Sequence, residues 1–320
     1  MMRSLVRGFT AITFMLPLAA AAQDWPAKQP VKIVVPFTAG SATDITARTV
    51  FEQVGRQIGQ TFVVENRGGG GTTLGMAQVA KADPDGYTML VHSTSHVVVA
   101  STYPNLTFNV AEDFAAVSAL ASIPFVIATK TQYKTLKDLV DAGKKSGSTI
   151  LYGTAGAGSS GQLYMERFRI AAGFPATHVP FRGTPEGMTE VVAGRIDMYP
   201  APALNAISLT KDGKVSSLAV SSAKRLPLMP DVPTSAEAGV PNAEYNFWVG
   251  AFMPAKTPKP IVDRLNREIV AALKVQSVAD KIVALGGDPS PMTPSEFDTF
   301  VRKEIAINAE IVKASGYKPQ

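Results

Sequence analysis

The sequence predicts an α/β protein with two lobes and a ligand cleft between them. Short apolar strands alternate with helical patterns, first over residues 31–91 and again over residues 123–221. This alternation is typical of parallel βαβ units. The chain returns to strand near residue 247 before three further helices, so it crosses twice between the lobes. Open α/β sheets bind ligands at the carboxyl ends of their strands, which makes the cleft the expected site.

The first 22 residues have the composition of a secretory signal peptide. Arg3 and Arg7 precede the apolar run Phe9–Ala22, which ends in the small residues that favour cleavage after Ala22. An N-terminal anchor helix is the alternative. Pro17 interrupts the run, however, which falls short of the roughly 18 clean apolar residues of a membrane span. We therefore expect the chain to be exported.

Composition narrows the function further. The chain has no cysteine, which excludes disulfides, thiolate nucleophiles and cysteine-based metal sites. Without the two leader arginines the formal net charge falls from +5 to +3, far from the footprint of a nucleic-acid-binding protein. With 46% hydrophobic residues, the chain can bury a core that needs no disulfide.

The first series starts with a buried strand over Val31–Val35 and a small-residue loop. A helix follows from about Thr43, which Ser41 or Thr43 can cap and where Asp44 suits the helix dipole. Apolar residues recur on one helix face at Ala47, Phe51, Val54 and Ile58. Further elements are predicted as a strand over 61–64, a helix from the glycines to about 82, and a strand over 87–91.

The second series has the same organisation. Strands are predicted at 125–129, 149–152, 178–181, 196–199 and 215–221, and helices at 135–145, 159–173, 184–194 and 203–211. Thr184 is the expected cap of its helix, with Pro185 in the first position. A strand over 247–252 and helices over 260–273, 278–285 and 294–314 complete the chain, with no strand between these helices. We expect residues 23–122 and 245–320 to form domain 1, and residues 123–244 domain 2.

Two loops are candidates for binding an anion. Pro36–Asp44 and Gly153–Gly161 each follow a strand, contain small residues and open a helix, whose first N–H groups have no partner within the helix. Each loop has a plainer interpretation, as an ordinary connection or, for Ser159, as a helix cap. Because one loop lies in each predicted lobe, closure of the lobes would direct both at one carboxylate.

Other motifs fit less well. Arg67–Gly71 resembles a phosphate loop but lacks the Gly-Lys-Ser/Thr ending, so we assign its glycines to a tight turn and close helix packing. His92 and His96 would share a helix face at i, i+4, but no cysteine or nearby glutamate completes a metal site, and we expect neither metal nor cofactor. Ser159 and Ser160 lack the G-x-S-x-G spacing of a nucleophile elbow, so we expect no enzyme.

The ordered motifs resemble the Bug family, the extracytoplasmic solute receptors of tripartite tricarboxylate transporters. The resemblance covers nearly all of the mature sequence. Its motifs are Ile33–Phe37 with Gly40 and Asp44, Val64–Arg67, Ala82–Thr88, Val179–Gly183, Leu218–Ser222, and Pro230–Thr234 with Glu237–Gly239. The resemblance implies a type II periplasmic binding protein fold and a periplasmic, monomeric receptor. Such a receptor delivers a small organic carboxylate to membrane subunits of the transporter; a ligand-sensing subunit is the alternative, and a serine hydrolase a more distant one.

The resemblance also implies which residues hold the ligand carboxylate. They are Phe37, Thr38, Ala39, Gly40 and Ser41 in the first loop, Ala155, Gly156, Ser159 and Ser160 in the second, and Ser93, Thr94 and Ser95 along the wall. Asp44 matches a family position that is expected to start a helix rather than contact the ligand.

This chain departs from its relatives at three places. It has Gly40-Ser41 where many have two glycines, and Gln162 where a histidine is common. Tyr199-Pro200-Ala201-Pro202 replaces residues that are often polar in relatives. We expect Pro200 and Ala201 at the ligand. Our hypothesis is that Ala201 and Pro202 remove hydrogen-bonding groups there, so that the less polar distal pocket suits an aromatic or alkyl carboxylate better than an amino acid.

Overall fold

The computed structural model describes residues 25–145, 147, 149–315 and 317, so the predicted signal peptide lies outside the described residues. The strands are β1 Val31–Val35, β2 Phe62–Asn66, β3 Thr88–Ser93, β4 Phe114–Ser122, β5 Phe125–Thr129, β6 Ile150–Thr154, β7 Ala176–Pro180, β8 Met198–Pro202, β9 Ser216–Val220, β10 Trp248–Pro254 and β11 Asp288–Pro289. The helices are α1 Ala42–Ile58, α2 Thr73–Ala80, α3 Ser95–Thr102, α4 Leu136–Lys144, α5 Ser160–Ala172, α6 Thr184–Val192, α7 Ala203–Lys211, α8 Lys259–Lys274, α9 Gln276–Ala284 and α10 Pro294–Ser315.

The strands form two sheets, which confirms the predicted two-lobed α/β class. The first sheet has the order β11-β4-β10-β3-β1-β2 and the second the order β7-β6-β8-β5-β9. In the first sheet β1 lies parallel to β2 and β3, whereas β10 is antiparallel to both of its neighbours. The chain passes between the sheets at Ser122–Phe125 and returns between Val220 and Trp248. These passages include the predicted domain limits, which remain a prediction.

Helix α1 shows how sequence pattern becomes packing. Its residues Ala47, Val50, Phe51 and Val54 are at most 1% exposed. Full burial of such a valine or phenylalanine side chain stabilises the fold by roughly 1.5–3 kcal/mol. The helix ends at Gly59, whose left-handed backbone, φ 65°, terminates it as a glycine cap.

Strand β4 and the short strand β11 beside it were not predicted from the sequence. Strand β4 has the sequence FAAVSALAS and is mostly buried, lying between β10 and β11. Because both of its faces are covered, it shows no alternation of polar and apolar residues, and its small side chains carry little β-propensity. Asp288 and Pro289 pair with Ser122 and Ala121, so the prediction of no strand among the C-terminal helices is wrong.

Two local predictions also need correction. Gly183 is the N-cap of α6, so Thr184 is the first helical residue and Pro185 the second. His92 lies in strand β3 while His96 lies in α3, so the two histidines share no helix face. Across the described ranges, we find no helix that is both long and apolar enough to span a bilayer.

Candidate functional site

A cavity lies where residues of both sheets and their helices meet. It is lined by Phe37, Ser41, Ala42, Thr43, Ser93, Ser95, Phe125, Ala155, Ser159, Ser160, Gly161, Thr184, Tyr199, Pro200, Pro202 and Phe247. Of the residues expected at the site, eight line this cavity: Phe37, Ser41, Ser93, Ser95, Ala155, Ser159, Ser160 and Pro200. The other six, Thr38, Ala39, Gly40, Thr94, Gly156 and Ala201, are not among its lining. The role of all of them in ligand binding remains a prediction.

The structure explains why two of the expected residues, Ala201 and Thr94, do not line the cavity. Successive strand residues point to opposite faces of a sheet, so Ala201 points away from the face of β8 that presents Pro200 and Pro202. Thr94 ties its segment to β10, because its hydroxyl accepts from the N–H of Trp248 at 2.9 Å. Both residues are buried.

The first loop uses its own N–H groups internally. Ser41 is the N-cap of α1 and its hydroxyl accepts from the N–H of Asp44 at 3.3 Å. The N–H of Gly40 donates to the Asp44 carboxylate at 3.0 Å, and that of Ser41 to the carbonyl of Thr38 at 3.2 Å. The Gly40 and Ser41 N–H groups are therefore not free for a ligand. Within the described chain, no acceptor faces the N–H groups of Phe37, Thr38 and Ala39 in the loop, or those of Ala42 and Thr43 in the first helical turn.

A buried carboxylate fixes this loop within its own lobe. Asp44 accepts hydrogen bonds from Arg48 at 3.0 Å and from the Asn66 side-chain amide at 2.9 Å. The same amide donates to the carbonyl of Phe37 at 3.0 Å. Asp44 thus links the helix start, strand β2 and the residue that opens the loop, which is a more extensive role than that of a helix-start charge alone.

The second loop is held by neutral groups. Ser159 is the N-cap of α5 and its hydroxyl accepts from the N–H of Gln162 at 3.4 Å. The Gln162 side chain accepts from the N–H of Gly158 at 2.7 Å. The Ser160 N–H donates to the Ser95 hydroxyl at 3.0 Å, and the two hydroxyls are also 3.0 Å apart. Gly161 has an N–H with no acceptor in the described part of the chain.

A histidine lies behind the second loop. Its ring nitrogen Nε2 is 2.6 Å from the Thr154 hydroxyl, which in turn donates to the carbonyl of Gly156 at 3.0 Å. Burial lowers the pKa of this residue, His178, to about 4, so the imidazole is neutral at pH 7. The histidine therefore supports the loop without adding a positive charge to the cavity.

Residues of the first lobe also reach the second loop directly. The Tyr103 hydroxyl donates to the carbonyl of Ala157 at 2.8 Å, and the Thr102 hydroxyl to that of Gly158 at 3.3 Å. At Gly71, whose φ is 57°, an added Cβ would lie 2.2 Å from the Ala157 carbonyl oxygen. The expected roles in turn geometry and helix packing are therefore incomplete, because Gly71 also permits close approach of the two lobes.

The two remaining histidines lie beside the first loop. His92 and His96 are fully buried, with ring centroids 5.6 Å apart, and His92 packs edge-on against Phe37 at 5.5 Å. Burial lowers the pKa of His96 to about 3 and that of His92 well below its usual value, so both are neutral. Over the residues the structure describes, no three His, Asp or Glu side chains gather as a metal ion needs.

Eight lining residues were not among the expected ligand contacts: Ala42, Thr43, Phe125, Gly161, Thr184, Tyr199, Pro202 and Phe247. Five of them lie in the candidate loops or in the segment Tyr199–Pro202, so only Phe125, Thr184 and Phe247 were missed entirely. Residues of the first helical turn could have been added to the expected ligand contacts, since the N–H groups of the whole first turn have no partner within the helix. Phe125 and Phe247 flank the two predicted crossings, which was a usable signal, but Thr184 carried none.

Together, the starts of α1, α5 and α6 converge on one cavity. Each helix N-terminus carries a partial positive charge and unpaired N–H groups. Because first-turn residues of all three helices line the cavity, the partial charges of helices from both lobes add up there. The lining side chains are uncharged. This arrangement can stabilise an anion through hydrogen bonds and dipoles without an ion pair.

Comparisons with known proteins agree with this geometry. Residues 46–317 match the family described as tripartite tricarboxylate transporter family receptor. An Agrobacterium vitis protein from the TAR-I ttuE-ttuC' intergenic region is 36% identical over 94% of this chain and 89% of its own length. The solved structure of the periplasmic binding protein BugD has a TM-score of 0.88 at 31% identity, covering 92% of this chain and 99% of its own.

A third relative was solved with a ligand. The structure of Rpa4515 from R. palustris with adipate has a TM-score of 0.89 at 31% identity, covering 93% of this chain and all of its own. The predicted resemblance to the Bug family and to its periplasmic binding protein fold is confirmed. The chain is a member of the tripartite tricarboxylate transporter receptor family, whose members are solute-binding proteins.

Proposed function

We propose that this chain is a periplasmic receptor that binds a small organic carboxylate and delivers it to the membrane subunits of a tripartite tricarboxylate transporter. The observation that carries the proposal is the convergence of unpaired helix N–H groups from both lobes. Ala42 and Thr43 supply them from one side and Gly161 from the other. A carboxylate accepts several such bonds, and each charge-assisted bond is stronger than a neutral one.

Binding is coupled to closure of the lobes. A carboxylate that accepts from both α1 and α5 contacts both lobes at once, so it favours the closed arrangement. The inter-lobe contact between Ser95 and Ser160 lies at the cavity wall, where it brings their hydroxyls within reach of the same ligand. Ligand occupancy thereby becomes a change of shape that a membrane partner can recognise.

The relatives support the chemical class. Rpa4515 was solved with adipate, a carboxylate, and BugD is described as a periplasmic binding protein. For this chain, periplasmic location, the transporter partner and a monomeric state are part of the proposal.

A hydrolase is the rival from another class, and the hydrogen bonds favour the receptor. Ser159 caps α5 and Ser160 contacts Ser95, while His178 bonds to Thr154 instead of a cavity serine. No described histidine bonds to Ser159 or Ser160, so neither serine has a base that could activate it. A sensing subunit shares this pocket and differs only in its partner.

A thermal-shift screen of residues 23–320 tests the proposal. Each small organic carboxylate is paired with its primary amide, which has nearly the same shape but no charge. A true ligand at about 100 times its dissociation constant adds about 2.7 kcal/mol to the unfolding free energy, and its amide adds far less. Equal shifts with acid and amide, or release of a hydrolysis product, contradict the proposal.

A further inference from the structure

A continuous apolar wall borders one side of the cavity. The rings of Phe125 and Phe247, at the two passages between the lobes, have centroids 4.8 Å apart. Phe125 pairs with Pro202 across β5 and β8, and paired residues project from the same face of a sheet. Pro200 follows on that face and reaches to 3.5 Å from a Cβ placed on Gly161. The wall thus extends from the passages to the start of α5.

This wall has little to offer a second charged group. Proline has no N–H, so Pro200 and Pro202 remove two main-chain donors from the segment that borders the cavity. No lysine, arginine or histidine is among the described lining residues, so a second carboxylate there would pair with no cation. A charge that loses water with neither a cation nor hydrogen-bond donors as partners is strongly disfavoured.

The cavity also lacks a counter-charge for an ammonium group. The carboxylate adjacent in sequence, Asp44, is 2% exposed, and its oxygens already accept from Gly40, Arg48 and Asn66. An α-amino acid would therefore bury its ammonium group without a carboxylate partner. The lining itself thus disfavours both a second carboxylate and an α-ammonium group.

We infer that this receptor takes a monocarboxylate with an apolar body, in preference to a dicarboxylate or an amino acid. The inference rests on the proposed function: the carboxylate accepts from the helix starts, and the alkyl or aryl body packs against Phe125, Phe247, Pro200 and Pro202. Burial of the body contributes roughly 25 cal/mol per Å² of apolar surface.

Three six-carbon acids test the inference by isothermal titration calorimetry at pH 7.5. Adipate is hexanoate with its terminal methyl replaced by a second carboxylate, and norleucine is hexanoate with an α-ammonium group. Benzoate adds a rigid apolar body. We expect hexanoate and benzoate to bind at least tenfold more tightly than adipate and norleucine. Adipate or norleucine binding as tightly as hexanoate overturns the inference but leaves the proposed function intact. Binding by none of the four, while other carboxylates bind in the screen, also overturns the inference alone; no binding by any carboxylate in the screen overturns both.

A pair of variants assigns the selectivity to the wall. Pro200→Asn restores a main-chain N–H and adds an amide at the cavity, so the preference for hexanoate over adipate should fall at least threefold. Pro180→Asn makes the same change at an exposed position of β7 and should leave the ratio unchanged. An unaltered ratio in Pro200→Asn, with circular dichroism showing a folded protein, contradicts the role of the wall. If that variant misfolds, the wild-type ratio decides alone.

Discussion

The two loops at the cavity share a plan and differ in how they are held. Both follow a parallel strand, place a serine at the N-cap and present unpaired N–H groups in the first helical turn. The first loop is fixed by Asp44 and by Arg48 and Asn66 of its own lobe. The second depends on neutral groups and on Tyr103 and other residues of the opposite lobe.

Under the proposed closure of the lobes, this difference separates a half-site that is already formed from one that closure completes. The bonds around Asp44 do not involve the second lobe, so they persist when the lobes separate. The bonds from Tyr103 and Ser95 to the second loop are lost on opening. We therefore expect the carboxylate to be recognised first at α1 and captured when α5 closes on it, and four measurements test this order.

Of the four changes, acidification should lower the free energy of unfolding most. The buried histidine of the first lobe, His96, should contribute more to this loss than His178 of the second. Unfolded histidines bind a proton near pH 6.5, whereas folded His96 and His178 do so only near 3 and 4 because burial lowers their pKa values. Their contribution to stability is therefore complete above about pH 6.5 and is lost as the pH falls below it. The loss is at most about 1.4 kcal/mol per pH unit for each histidine.

Thermal unfolding between pH 8 and pH 4.5 measures this effect. His96→Phe keeps the stacking on Phe252, whose ring lies 4.1 Å away, and removes the titration. The variant should lose less stability on acidification than the wild type, and it should show a larger change than His178→Asn. A wild-type stability that stays constant from pH 8 to pH 4.5 would refute the assignment of buried neutral histidines.

Replacing Asp44 tests the preformed loop. Asp44→Ala leaves the Gly40 N–H and the Asn66 amide without their acceptor, which should cost about 1–3 kcal/mol of unfolding free energy. Asp44→Asn retains an acceptor and should cost less. Because Arg48 is 51% exposed, loss of the ion pair itself contributes little. Urea unfolding compares the three proteins, and equal midpoints would mean that Asp44 does not fix the loop.

The serines of the second loop should affect affinity. Replacing Ser159 and Ser160 together by alanine should weaken carboxylate binding by about 1–3 kcal/mol if they donate to a charged ligand. Ser222→Ala, outside the cavity, is the matched control. Calorimetric titration with the best carboxylate from the screen gives the values. Unchanged affinity in the double variant would leave these residues as a helix cap and an inter-lobe contact only.

The smallest effect is expected for the inter-lobe bonds. Tyr103→Phe removes one hydrogen bond to the second loop, worth about 0.5–1.5 kcal/mol in the closed state, so the dissociation constant should rise by roughly 2- to 10-fold. Asn205→Ala removes the comparable bond to the Gly40 carbonyl of the first loop and should have a similar effect. Small-angle scattering with and without ligand records closure, and an affinity unchanged in Tyr103→Phe argues against a dependence on the opposite lobe.

Much of this architecture could be predicted because local rules and burial agree. The amphipathic face of α1 and the caps Ser41 and Ser159 follow directly from spacing and residue type. Strand β4 could not be recognised because alanine and serine fill it and both of its faces are covered. Its position depends on pairing with β10, which lies more than a hundred residues further along the chain.

The sequence predicted that two loops form the site, but not which of their N–H groups are free or which other residues line the cavity. Whether the Gly40 N–H is free depends on Asp44 turning back towards it, and one sequence does not specify that choice. Phe125, Pro202 and Phe247 come together only through sheet pairing and the passages between lobes. Thr184 enters the cavity because α6 begins near the first loop, where Pro185 lies 3.6 Å from a Cβ placed on Gly40.

Gly71 has a consequence for how such receptors diversify. A methyl group there would collide with both the Tyr103 hydroxyl, at 2.1 Å, and the Ala157 carbonyl, at 2.2 Å, although Gly71 is not among the cavity lining. We therefore expect a methyl group at this position to destabilise the contact between the lobes and shorten the residence time of a bound molecule, while the cavity lining that selects the molecule stays the same. Substitutions at different positions can thus change the residence time of the ligand and the choice of ligand independently.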